Sequence, residues 1–273
     1  MNMESMLNFT KMNGAGNDFV MLDNRDGKFS LDREVIARLC DRHRGIGADG
    51  LIAAEPPQQP GSDLRMRYFN ADGGEAEMCG NGARCFSRYG SRLLGRTENI
   101  AFDTLAGVIT AKLLGENVQL GMSQPHALSM NTQLDAAEET LEVHFLNTGV
   151  PHAVVFREDL PATDVRKLGA ALRYHTHFAP KGTNANFVGV RADGSLAIRT
   201  YERGVEDETL ACGTGVVASA LMHHLLHAAP SPVAVQVKGG ETMHVGFEYA
   251  DGSFSNVTLT GPADFVFDGT IAI

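Results

Sequence analysis

Two cysteines stand in the same local setting. Met78-Cys79-Gly80-Asn81-Gly82-Ala83-Arg84 and Ala211-Cys212-Gly213-Thr214-Gly215-Val216-Val217 both read Cys-Gly-x-Gly running into a helix, 133 positions apart (212 − 79). Glycine turns tightly and leaves backbone amides open to a ligand, and the first-turn N–H groups of a helix have no partner within it. Such a start attracts a carboxylate and favours the thiolate of an adjoining cysteine. Two of them suggest two halves facing one another, each contributing a thiol to a shared cleft. A carboxylate held by both sets of amides would leave its α-carbon between two sulfurs. One sulfur, as thiolate, would take a proton from one side while the other, as thiol, returned one to the opposite side. The amides would stabilise the extra negative charge on the carboxylate of the intermediate. Inversion at carbon then needs no cofactor.

The elements that must position these starts follow from pattern. Leu7 to Thr10 and Phe19 to Leu22 read as strands around the turn Met12-Asn13-Gly14-Ala15-Gly16-Asn17-Asp18. Leu31 to Cys40 carries a helical apolar stripe, with Ser30 or Asp32 as cap. Strands are expected at Leu51 to Ala54 and Leu64 to Asn70, then an acidic loop over Ala71 to Met78 and the Cys79 helix to about Leu94. Two strands turned at Ala106-Gly107 and one over Val118 to Met122 complete the first half. Near Ser123 to Pro125 the chain crosses to the second. Strands resume there at Leu141 to Leu146 and Ala153 to Phe156, followed by a helix over Thr163 to Leu172. Gly182 to Val188 echoes Gly14 to Val20, a polar turn entering a Phe-Val strand. Leu196 to Tyr201 reads as a strand, Glu202 to Leu210 as an acidic loop, and Cys212 to about His227 as the second central helix. Gly240 follows Gly107 at the same offset as the cysteines (240 − 107 = 133), which favours duplication. The tail, Val257 to Ile273, alternates and is expected to return to the first half. The expected domains are 1–122 completed by 262–273, and 123–261.

Composition narrows the partners. The chain has 273 residues, 43% hydrophobic, with formal charge −10, so it lacks the basic footprint of nucleic-acid or anionic-membrane binding. Four cysteines, Cys40, Cys79, Cys85 and Cys212, form no Cys-x-x-Cys pair, which argues against a disulfide framework or zinc ribbon. Met1 to Lys11 shows no secretory pattern and no apolar run is long enough to span a membrane. Thiols of this kind suit a reducing cytoplasm. Cys40 and Cys85 read as core hydrophobes. His223, His224 and His227 suit a helix C-terminus better than a metal site, and His175 and His177 fall in a solvated loop.

Taken together, Asn13-Gly14-Ala15-Gly16-Asn17-Asp18-Phe19, Phe69-Asn70-Ala71-Asp72-Gly73, Cys79 to Cys85, Tyr201-Glu202-Arg203-Gly204 and Ala211 to Gly215 resemble diaminopimelate epimerase, from about Leu7 to the C-terminus. The resemblance implies a mixed α/β fold of two pseudo-symmetric domains, each a curled mixed sheet around a central helix, with the cysteines facing across a cleft. It implies a cofactor-independent, homodimeric, cytoplasmic enzyme that interconverts LL- and meso-diaminopimelate for lysine and peptidoglycan-precursor synthesis, with no metal. Cys79 and Cys212 would move the proton. Gly80, Asn81, Gly213 and Thr214 would bind the reacting carboxylate and amine, and Asn17, Asn70, Asn184, Glu202 and Arg203 the distal head. A guanidinium suits a carboxylate and Glu202 an ammonium, and His152 would orient the site. Two positions depart from the family. Val150 stands where many members have Asn before Pro-His, so the side-chain amide of that turn is missing or its role falls to Asn147 or Thr148. Gly50 stands where some members carry a longer polar residue.

Other readings compete. A proline-racemase-like isomerase would also use two thiols but has no need of the Asn70, Asn184, Glu202 and Arg203 set. A dithiol redox protein would use Cys79 and Cys212 as a disulfide pair, and an amino-acid-binding module would bind without exchanging the α-proton.

Overall fold

The computed structural model describes residues 6–273; the five positions before them, on which part of the leader reading rests, lie outside the described residues. The chain divides into two compact units, Met1–Leu120 with Gly261–Ile273, and Gly121–Thr260.

In the first unit β1 (Met6–Gly14) and β2 (Asn17–Asp23) form an antiparallel hairpin whose corner, Ala15-Gly16, has positive φ at both residues. Helix α1 (Arg33–Cys40) then carries the chain to β3 (Gly50–Glu55), parallel to β2. β4 (Leu64–Asn70) returns antiparallel to β3, and its end pairs with the short β5 (Glu75–Ala76). Helix α2 (Gly80–Leu94) makes the second crossover, to β6 (Asn99–Thr104) parallel to β4, and β7 (Gly107–Leu114) and β8 (Asn117–Gly121) follow antiparallel.

The two crossover helices lie on opposite faces of this sheet, which explains its near-continuous apolar strands. Leu7, Phe9, Val20, Leu22, Leu51, Ala53 and Phe69 pack with Ile36, Leu39 and Cys40 of α1. The alternate residues point the other way: Phe19 and Ile52 border Gly82 of α2, and Leu64 and Ile100 border Gly90. Helix α2 packs against six strands, β1 to β4, β6 and β7, so its buried residues run from Asn81 to Gly90 with only Arg88 interrupting.

The second unit repeats this plan. β9 (His126–Ala136), β10 (Glu139–Asn147) and β11 (Pro151–Phe156) run antiparallel, and α3 (Val165–Arg173) leads to β12 (Asn184–Val190), parallel to β11. β13 (Leu196–Glu202), with the short β14 (Asp207–Thr209) at its end, precedes α4 (Gly213–His227) and β15 (Val233–Gln236), parallel to β13. β16 (Thr242–Ala250) and β17 (Ser253–Pro262) follow antiparallel. The last strand, β18 (Asp264–Ala272), pairs with β1 and stands to it as β9 stands to β10. Ala153, Val155, Ala185 and Phe187 pack on α3, which turns their neighbours His152, Val154, Asn186 and Val188 towards α4.

Three expectations are corrected. The second half resumes at His126, not Leu141; β9 is mostly exposed, so it lacks an alternating apolar signal. The two acidic loops each contain a short strand, β5 and β14. The echo of Gly14 to Val20 in Gly182 to Val188 is not an equivalence: Phe187 lies on β12, the counterpart of β3, whereas the ladder gives Phe19 the same place as His152.

The helix ends differ in cost. α2 stops on Gly95 and α4 on Ala228, both left-handed, with φ of 66° and 53°. A Cβ disfavours that region by ~1 kcal/mol. Ala228→Gly is therefore expected to stabilise the protein by about 0.5–1 kcal/mol and Gly95→Ala to destabilise it by as much, as read from urea unfolding midpoints.

Candidate active site

Cys79 and Cys212 are the N-cap residues of α2 and α4, extended at φ −136°, ψ 122° and φ −125°, ψ 103°. Neither side chain caps its helix; a thiol is a weak acceptor where serine or aspartate would bind the first-turn amides. Each carbonyl accepts the first helical bond, from Ala83 N at 2.7 Å and from Val216 N at 2.9 Å. A Cβ on Gly80 would meet nothing within 4 Å, so open space adjoins the first residue of α2. Cys79 is half-buried and Cys212 buried. The other two thiols are core groups, and burial pushes Cys40 and Cys85 each up to about 12.

Around α2 the first unit joins two of its expected site residues, Asn17 and Asn81, in a chain of hydrogen bonds. Asn81 Nδ2 donates to Asn17 Oδ1 at 2.5 Å, and Asn17 Nδ2 donates to Asp49 Oδ2 at 3.0 Å. Arg84, fully buried, donates to Asn81 Oδ1 at 2.9 Å and to Pro262 O at 3.1 Å. Both amides are thus oriented by charged groups. Asp49 in turn is held by Arg42, which also pairs with Asp18 at 2.8 Å, and buried Lys11 reaches Asp18 at 2.9 Å. Burial pushes the Asp18 carboxyl up, but the hydrogen bonds of Arg42, Lys11 and the Asp49 amide outweigh it and bring it down to about 2. Asn70 ends β4 exposed, its Oδ1 accepting from the Tyr68 hydroxyl at 2.9 Å. A Cβ on Gly50 would lie 2.7 Å from the Tyr68 ring and 2.5 Å from Phe69 O, so Tyr68 fills the space a longer residue at 50 would need.

In the second unit Glu202 takes the ladder place that Asn70 has in the first, and Asn184 that of Gly50. Asn184 Nδ2 donates to Pro151 O at 2.9 Å, and its Oδ1 accepts from Arg203 N at 2.8 Å. Burial raises the Glu202 carboxyl above its ordinary range, against a hydrogen bond from Thr209, whose hydroxyl lies 2.8 Å away. Arg203 donates to Lys181 O at 3.3 Å. His152 is completely enclosed, and burial, with Arg203 adding, pushes its ring down to about 3. At the start of α4 Cys212 Sγ lies 3.7 Å from Thr214 Oγ1. Gly213 follows Cys212 half-buried. Thr148 Oγ1 donates to Thr214 O at 2.9 Å, and Asn147 Oδ1 accepts from Gly149 N at 3.0 Å. The two candidates for the amide missing at Val150 are thus tied into their own turn and into α4.

Sequence pattern does not single out Asp49, Tyr68, Arg84 and Asn186 as site supports. A signal existed for one: Asn184 and Asn186 alternate on a strand and so share a face. Among the described residues no group of His, Cys, Asp and Glu could hold a metal ion. His224 bonds Ala229 O at 2.7 Å, and His223 packs on Phe156 and His227.

A model of the family described as diaminopimelate epimerase matches residues 9–127 and 144–266. The diaminopimelate epimerase of Hydrogenobaculum sp. (strain Y04AAS1) is 41% identical over 275 residues, 96% of this chain and 98% of that protein. Two solved structures share the fold at 16% identity. A phenazine biosynthesis protein of the PhzF family from Bacillus anthracis superposes with TM-score 0.71 over 98% of this chain and 100% of its own. A probable proline racemase from Agrobacterium radiobacter K84 superposes with TM-score 0.70 over 98% and 93%.

The ion cluster beside Asn17 sets an acid limit. Asp18, lowered from 3.8 to about 2, contributes stability fully present above its unfolded value and lost as pH falls through about 2. Asp18→Asn, which takes the carboxylate from buried Lys11, is expected to cost about 2 kcal/mol at pH 7, less than for a fully buried pair because solvent reaches Asp18. The variant's stability should also depend less on pH between 4 and 2, by urea unfolding at each pH.

Proposed function

Because this chain belongs to the diaminopimelate epimerase family, we infer that it interconverts LL- and meso-2,6-diaminopimelate by proton transfer at one α-carbon between two thiols. The observation that carries the reading is a cysteine at the N-cap of each of two topologically equivalent helices, neither capping its own helix. One sulfur, as thiolate, takes the α-proton; the other, as thiol, returns one to the opposite face of the carbon. Charge that develops on the carboxylate is met by amides of the first turns, Gly80 and Asn81 in one unit and Gly213 and Thr214 in the other. Such groups are already in place before the reaction starts, so no cofactor or metal is required by this chemistry.

Asn17, Asn70, Asn184, Glu202 and Arg203 take the distal amino-acid head, and His152 orients the site. That set favours diaminopimelate over an imino acid, which has no second head to bind. Glu202 accepts from the distal ammonium and Arg203 pairs with the distal carboxylate. No helix among the described residues is long and apolar enough to cross a membrane, and thiols that must cycle between thiol and thiolate suit a reducing cytoplasm. Homodimerisation follows from the family resemblance.

Incubation with LL-diaminopimelate in deuterated water, under reducing conditions and without added cofactor, is expected to place deuterium at one α-carbon with inversion. No exchange would count against the reading. Cys79→Ala and Cys212→Ala are each expected to abolish epimerisation with circular dichroism unchanged, since removing either thiol leaves proton removal or return without its group. Turnover by either variant would contradict the two-thiol mechanism, and deuterium-free binding by the native chain would favour an amino-acid-binding module.

A further inference from the structure

His152 lies on β11 at the ladder place Phe19 has on β2, where the Phe19 ring reaches 3.5 Å from the Cβ position of Gly82 in α2. Its Nδ1 is 3.1 Å from Nδ2 of Asn186, on the neighbouring strand β12. The same Nδ2 is 2.9 Å from Ala153 O. A carbonyl oxygen only accepts, so the atom facing it must be the amide nitrogen, and the Asn186 side chain has one allowed orientation. Its Oδ1 then accepts from Thr200 Oγ1 at 3.0 Å. Asn186, Thr200 and His152 are all buried.

A histidine nitrogen that faces an N–H must itself be the acceptor. His152 Nδ1 therefore carries no proton, and in the neutral ring the proton sits on Nε2. That Nε2 is buried and has no hydrogen-bond partner among the described residues. The arrangement abuts the start of α4: a Cβ on Gly215 would lie 2.3 Å from Asn186 Oδ1 and 3.4 Å from Cys212 Sγ. The amide and the sulfur thus border the same point of the helix. The first unit has no such device, because Ile52 holds the ladder place of Asn186 and touches Gly82 in the same way.

We propose that Asn186 is a positioning residue that fixes His152 as its Nε2–H tautomer, so that the ring serves the epimerisation as a standing hydrogen-bond donor and never as its base. The proposal rests on the epimerase reading for the reaction served. The tautomer itself is independent of that reading. A donor with no protein acceptor awaits one from the reacting system, where carboxylate oxygens and a thiolate are the available acceptors.

Long-range proton–nitrogen NMR of the full-length, nitrogen-15-labelled chain tests it, with His152 assigned through its loss in His152→Gln. The native chain is expected to show a protonated-type Nε2 and an unprotonated Nδ1 at neutral pH. Asn186→Asp replaces a donor by an acceptor and is expected to move a proton onto Nδ1. It should also lower kcat about 10–100-fold, with KM changed no more than about threefold. Thr200→Val removes a neighbour of the same network but leaves the Asn186 amide as donor. It is expected to keep both the native tautomer and kcat within about threefold, whereas a merely structural role would make the two variants alike. If Asn186→Asp does not fold, Asn186→Ala is expected to give averaged ring signals with the same fall in kcat. An unprotonated Nε2 in the native chain overturns the proposal, as does full kcat in a variant whose tautomer has moved. Absence of α-proton exchange by the native chain would instead sink the epimerase reading and leave the tautomer result standing.

Discussion

The structure turns on helix starts whose N-cap side chains do not bind their own first-turn amides. In most helices a serine, threonine or aspartate at the N-cap spends its side chain on those N–H groups. Cys79 and Cys212 do not. A helix with a bare start is less stable by itself, and each of these two is kept in place by burial: α2 and α4 each pack against at least five strands of their unit. The curled sheets therefore do more than carry the helices. They supply the packing energy that lets a helix keep its first turn open, and they set glycines where a side chain would close the gap. Gly14 shows how tight that is, since a Cβ there would lie 2.7 Å from Asn81 O and 3.0 Å from Cys85 Sγ. Only glycine lets the β1–β2 corner sit against the first turn of α2.

Equivalent scaffolds carry unequal side chains. Phe19 answers to His152, Ile52 to Asn186, Gly50 to Asn184 and Asn70 to Glu202. On the strands that face its central helix the first unit is mostly apolar; the second sets His152 and Asn186 among its valines there, joined by buried hydrogen bonds. Duplication keeps a cysteine-led helix start in both units, whereas the buried polar strand residues His152, Asn184 and Asn186 belong to the second alone.

Much of this is legible in the chain because the decisive signals are local. Cys-Gly-x-Gly ahead of an apolar run places both central helices, and the structure begins them at Gly80 and Gly213. Alternation finds β4, and a short apolar run after a Gly-rich turn finds β3, which is buried on both faces. β9 escapes because most of its side chains face solvent, so burial imposes no period on it. The supports of the site escape for another reason. Asp49 meets Asn17 from 32 positions away and Asn186 meets His152 from 34, across parallel pairings whose register no single strand announces. The false echo between Phe19 and Phe187 has the same origin: similar turns enter strands of different rank in the sheet, and only the ladder ranks them.

The polar interior of the second unit also carries information in its imperfection. Burying His152, Asn184, Asn186 and Thr200 removes water from groups that each want partners, a cost recovered only if the bonds are made. Asn184 bonds in both directions, to Pro151 O and from Arg203 N, and Asn186 uses its oxygen once and its nitrogen twice. Within that group of four the network closes everywhere but at His152 Nε2. Had packing alone shaped this interior, Phe19 shows what would serve at the same place, since an aromatic ring fits there without any polar atom. A ring nitrogen held against its desolvation cost, with its sister nitrogen pinned by Asn186, is instead a cost that packing alone does not explain.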